Sequence, residues 1–90
     1  MDTREGLRVL ACHYRLYNQL NKTNEELQEL HEAIEGYING DDTVEHILEE
    51  IADVEVMTAQ LKLLLDGEME VEKIKVFKVN RQLKRIKNEE

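Results

Sequence analysis

The chain contains no proline, no tryptophan, a single cysteine and only four glycines in 90 residues. A small β-sandwich spends glycine and proline on its many turns, so these shortages argue against one. The lone Cys12 excludes an intramolecular disulfide framework and a cysteine-based zinc site. No apolar run approaches the roughly 20 residues that a membrane helix needs, so no membrane partner is expected. The opening Met1-Asp2-Thr3-Arg4-Glu5-Gly6 has no basic stretch leading into an apolar one, so no secretory signal is expected. A cytoplasmic protein, in a bacterial cell or a phage-infected host, is the simplest expectation. What the chain does have is charge: 36% of its residues are Asp, Glu, Lys or Arg, against 41% hydrophobic. That balance is typical of long solvated helices. Its length implies one helical domain over residues 1–90 with a thin core.

The net charge of −8 is unevenly spread. Residues 1–72 carry 5 basic and 18 acidic side chains, a balance of −13, whereas residues 73–90 carry 7 and 2, a balance of +5. An acidic body folding against a basic terminal helix would explain this. So would an acidic region that holds cations beside a basic one that holds an anion, as a metal-bound polyphosphate requires. Nucleic acid is not an expected partner, because an acidic body repels phosphate backbones and one basic helix is a small footprint.

Apolar spacing is helical nearly throughout. Leu7, Leu10, Ala11 and Tyr14 predict a short first helix over about 6–14. Leu16, Leu20, Thr23, Leu27, Leu30, Ile34 and Tyr37 predict a second over about 15–37. Thr23 and Glu26 have the spacing of a capping box, but the stripe runs past them without a change of phase. Asn39-Gly40-Asp41-Asp42 is the clearest turn. Val44, Ile47, Ile51, Val54, Thr58, Leu61 and Leu65 predict a third helix that ends at Asp66-Gly67. A fourth starts at Met69 or Glu70, with Ile74, Phe77, Leu83 and Ile86 inside. The fold class is therefore all-α: an antiparallel four-helix bundle-like protomer with one short and three longer helices. An exposed apolar flank predicts completion by self-association.

Four carboxylates fit poorly on a solvated face. Glu26 and Glu29 lie three apart beside Leu30 and Ala33, and Glu50 and Asp53 lie three apart on a face with Met57 and Leu64. Asp53 in particular points toward the apolar flank. An unpaired carboxylate there costs several kcal/mol or takes up a proton, on the order expected for a buried acid. Two pairs on adjacent antiparallel helices can converge on a hard, oxygen-loving cation such as Mg²⁺. The Gly40 reversal between them would bring both pairs to one level. Acidic pairs at helical spacing also arise by chance in a chain with 20 Asp and Glu residues. Glu32, Glu35, Asp41, Asp42, Glu45 and Glu49 are read as solvated surface. His13, His31 and His46 have no acidic residue three positions before them and are read as surface or edge residues, which excludes the Glu-x-x-His element of di-iron bundles. Cys12 is read as a small core residue, and Met57 and Met69 as core fillers. Tyr14, Tyr17, Tyr37 and Phe77 suit packing better than base stacking.

These residues carry a resemblance. Glu25-Glu26-Leu27-Gln28-Glu29-Leu30 and Glu49-Glu50-Ile51-Ala52-Asp53-Val54 resemble the paired motifs of MazG-like all-α nucleoside triphosphate pyrophosphohydrolases. The stretch Lys78-Val79-Asn80-Arg81, with Arg85, is similar to the basic tail of the small phage and bacterial members. The resemblance implies hydrolysis of an NTP or dNTP between the α- and β-phosphates, for pool control or removal of unwanted nucleotides. It implies Mg²⁺, with Mn²⁺ as a substitute, held by Glu26, Glu29, Glu50 and Asp53. It also implies a homodimer or a dimer of dimers. Glu26 and Glu29 are the candidates for taking the proton of the attacking water. Lys78, Arg81 and Arg85, at i, i+3 and i+7, are assigned to the triphosphate, with Lys22 as a further candidate. Competing functions are a non-enzymatic helical dimerisation module or adaptor, and a regulatory protein that binds nucleotides without turning them over.

Overall fold

The computed structural model describes residues 2–89, with the side chains of Arg8, Leu10 and Ala11 outside that description. The expected packing of Leu10 and Ala11 therefore falls outside the described residues. Among the described residues the chain is all-helical and has three helices, α1 (Thr3–Ile38), α2 (Val44–Leu64) and α3 (Glu68–Glu89). The helices expected over 6–14 and 15–37 are one. No glycine or proline interrupts the chain between Gly6 and Gly36, so nothing stops the helix near residue 14. It starts earlier than expected because Asp2 caps it, accepting from the Glu5 amide at 2.9 Å. Thr23 is not a cap; its hydroxyl donates back to the Gln19 carbonyl at 2.7 Å inside α1.

Both α1 and α2 end in the same hydrogen-bond pattern. Gly40 donates to the Tyr37 carbonyl at 3.1 Å and Asp41 to that of Gly36 at 2.8 Å. Asp66 donates to Leu63 at 3.2 Å and Gly67 to Lys62 at 2.8 Å. The residue after each cap takes a left-handed backbone, at φ 81° for Gly40 and 52° for Asp66. The first reversal has the glycine where it is needed; in the second the glycine comes one position late.

α1 and α2 form an antiparallel hairpin. Its seam uses Leu16, Gln19, Thr23, Glu26, Leu30 and Ala33 from α1 and Ile47, Glu50, Val54, Met57 and Leu61 from α2, all buried or half-buried. The Gln19 amide donates to Met57 Sδ at 3.4 Å across it. Only half of the expected α1 stripe faces the seam: Leu20, Leu27, Ile34 and Tyr37 are exposed. Helical phase places Leu20, Leu27 and Ile34 on one side of the seam and Glu26 and Glu29 on the other. It does the same on α2 for Val44, Leu48 and Ile51 against Glu50 and Asp53. Antiparallel pairing then brings like to like, giving the hairpin one apolar face and one acidic face.

α3 touches α2 only near their junction and makes no close backbone contact with α1. None of its described residues is buried. Ile74, Phe77, Leu83 and Ile86, expected inside, are exposed, as are Leu7, Tyr14, Cys12 and Met69. The physical reason is shared: nothing among the described residues lies over them. Thr23 and Ala33 are the only buried residues among those described. The radius of gyration is 18.3 Å, whereas a compact chain of this length has about 12 Å.

Candidate metal centre

The acidic face carries the site. Glu26 and Glu29 stand on α1, Glu50 and Asp53 on α2, and one carboxylate oxygen from each lies within 4.8 Å of all the others. Each pair shares a helix face because its members are three residues apart. The two pairs meet because the hairpin register sets Glu26 opposite Glu50. Glu26 and Glu50 are half-buried, and Glu29 and Asp53 are exposed. Helical spacing in the sequence aims Asp53 at the apolar flank; the seam instead takes Glu50. Position 50 falls between Ile47 and Val54 on the contact stripe, while position 53 lies a further 60° or so round the helix.

The electrostatics of this cluster are unfavourable as they stand. Oε2 of Glu26 and Oε2 of Glu50 are buried without a hydrogen-bond partner. Partial burial raises the Glu26 carboxyl above its ordinary value, and a hydrogen bond to Glu29 and the charges of Glu29, Asp53 and Glu50 raise it further. Like charges gathered this closely favour a proton or a cation between them. All four donors are carboxylates, with no sulfur or imidazole among them, so the set suits a hard divalent cation.

Beside the carboxylates stands a contact not expected from the sequence, where Asp42 is taken as solvated surface and His46 as a surface or edge residue. His46 lies between Asp42 and Glu50 on α2, with Nδ1 at 2.5 Å from Asp42 Oδ2 and Nε2 at 3.3 Å from Glu50 Oε1. Asp42 raises the imidazole above its usual range, and the Glu50 charge adds to this against partial burial. Asp42 is lowered in turn, by His46 first and then by the Thr43 amide. Asp42 is half-buried because it closes on α1 at Gly36, where an added Cβ would stand 3.0 Å from Asp42 Cβ and 3.3 Å from Oδ2. The signal was present in the sequence as Asp-x-x-x-His-x-x-x-Glu, one turn between neighbours.

The three cationic residues of α3 expected at the site are not brought to it by their own chain. Lys78, Arg81 and Arg85 are exposed on α3. Arg81 lies over the Phe77 ring, 5.7 Å from its centroid. Lys22 is exposed one turn before Glu26, on the acidic side of α1. Among the described residues no helix is long and apolar enough to cross a membrane. In comparisons with known proteins, no family model, no curated protein and no solved structure matches the chain.

Proposed function

We propose that the protein is a divalent-metal-dependent nucleoside triphosphate pyrophosphohydrolase that works as a homo-oligomer. The observation that carries this reading is the meeting of four carboxylates within 4.8 Å, two of them with buried oxygens that lack any partner. Glu26, Glu29, Glu50 and Asp53 would hold the cation. When bound, Mg²⁺ supplies charge neutralisation at phosphate oxygens and a more acidic water. The chain supplies the rest. Glu26 and Glu50, fixed in the helix seam, set the position of the site. Glu29 and Asp53, at its solvent edge, face the approaching polyphosphate. Glu26 or Glu29 accepts the proton of the attacking water as it adds to the α-phosphorus, and pyrophosphate leaves.

Lys78, Arg81 and Arg85 enter this reading from a second copy. The chain exposes 7698 Å², whereas a compact monomer of 10.6 kDa exposes about 5,500 Å². The excess is of the size buried in obligate dimers. The apolar hairpin face and the outlying α3 account for it, and the basic α3 complements the acidic hairpin in charge. A partner's α3 laid along that hairpin would bring three cations toward the triphosphate.

Pyrophosphate release measured across the NTPs and dNTPs with Mg²⁺ tests the reading. Wild type is expected to turn over at least one, and Glu50→Gln and Asp53→Asn to lose at least about 100-fold, more than the loss of an outer-shell partner. Full Mg²⁺-dependent release by either variant would sink the assignment.

A further inference from the structure

We infer that His46 is a positioning residue for the metal centre, holding Glu50 by Oε1 so that Oε2 is left as the ligand oxygen. This rests on the reading of the four carboxylates as a cation site. Three observations of geometry carry it. His46 Nε2 lies 3.3 Å from Glu50 Oε1, and the other oxygen of that carboxylate is buried and without a partner. The Glu50 side chain is only 13% exposed, so the carboxylate has little water to turn toward. The ring is itself anchored at its far nitrogen by Asp42, 2.5 Å away, and Asp42 is wedged against Gly36 of the opposite helix. The result is a relay of contacts, Gly36 to Asp42 to His46 to Glu50, that starts on α1 and ends at a ligand.

A long flexible carboxylate on a helix has several rotamers, and only some point an oxygen at its three acidic neighbours. Repulsion among those neighbours favours the rotamers that point away. The anchored ring edge against Oε1 fills the space on the far side of Glu50 and opposes that preference before a cation arrives. Outer-shell partners of this kind orient ligands and raise the affinity of the site. The role belongs to the ring nitrogen nearest Glu50, so an amide that reaches the same point can replace it.

The test is direct Mn²⁺ binding, followed by the electron paramagnetic resonance signal of the free ion, on the full chain. Wild type is compared with Glu50→Gln, His46→Ala, His46→Gln and His46→Asn, with helicity and Tm recorded for each. The Gln amide reaches the position of Nε2, whereas the shorter Asn amide reaches only that of Nδ1. His46→Ala and His46→Asn are expected to weaken Mn²⁺ binding by about 10- to 100-fold, and His46→Gln by less than about threefold. If wild type binds Mn²⁺ no better than Glu50→Gln, the metal reading falls and this inference with it. If Glu50→Gln loses binding but His46→Ala does not, the positioning role alone is overturned. Equal weakening by His46→Gln and His46→Asn, in step with Tm, would show a general structural role and overturn it too. Should His46→Ala fail to fold, the Gln and Asn pair decides: Gln binding tightly and Asn weakly supports the inference, and equal binding overturns it.

Discussion

Glu26 shows at the level of one residue why the acidic face is unfinished. Its carboxyl is raised by partial burial and by three acidic neighbours. A carboxyl whose folded pKa exceeds its unfolded value binds its proton more tightly in the fold. The metal-free chain therefore holds this contribution fully below the ordinary value near 4.5 and loses it as pH rises through the folded value. A divalent cation at the proposed site would compete for the same place, so its apparent affinity should fall as pH drops through that raised value. Calorimetry of Mg²⁺ binding in buffers of different ionisation enthalpy should show proton release that vanishes at higher pH. Glu26→Gln should melt higher than wild type without metal and gain nothing from Mg²⁺. The grouping of Glu26, Glu29, Glu50 and Asp53 was legible in the sequence, because a spacing of three on each side of one reversal fixes both face and level. Which acids would be buried was not, since the seam covers only half of each apolar stripe. His46 was missed because each histidine was weighed against a spacing of three, while its partners stand at four.

The helices are bounded by signals of different quality. Gly40 sits in a left-handed conformation that costs other L-residues roughly 1–2 kcal/mol. Gly40→Ala has open space around the new methyl group, so strain alone acts, and it should lower stability by about 1 kcal/mol in chemical denaturation. Asp66 occupies the equivalent position after α2, and Asp66→Gly should raise stability by about 0.5–1 kcal/mol in the same measurement. Both reversals could be read from the sequence, because Asn39-Gly40 and Asp66-Gly67 are strong local stops. The break expected near residue 14 rests only on two separate apolar stripes, Leu7 to Tyr14 and Leu16 to Tyr37, with no stop signal between them. Spacing reports which face is covered, not whether the backbone bends, and α1 runs straight through it. The reading of α3 erred for a related reason: an amphipathic pattern shows that a helix wants a cover without showing which chain provides it.

Taken whole, the molecule has two faces and an arm. The apolar face, with Leu20, Leu27, Ile34, Val44, Leu48 and Ile51, is exposed, and among the described residues α3 stands clear of the acidic face it complements in charge. Light scattering during size exclusion should therefore give at least twice the chain mass of 10.6 kDa. Leu27→Lys, at a site already 45% exposed, should leave the helicity of the hairpin intact and return the single-chain mass. High salt should loosen the proposed assembly as well, since the charges that would draw a partner's α3 to the hairpin lie near solvent. Tm should rise with protein concentration, which an independent monomer would not show.

An arm that leaves its own body would also tie output to dose. If, as proposed, the basic side chains of one molecule serve another, halving the amount of protein would remove working sites faster than it removes molecules. Specific activity would then climb with abundance until pairing saturates, and the level of expression would itself act as the throttle.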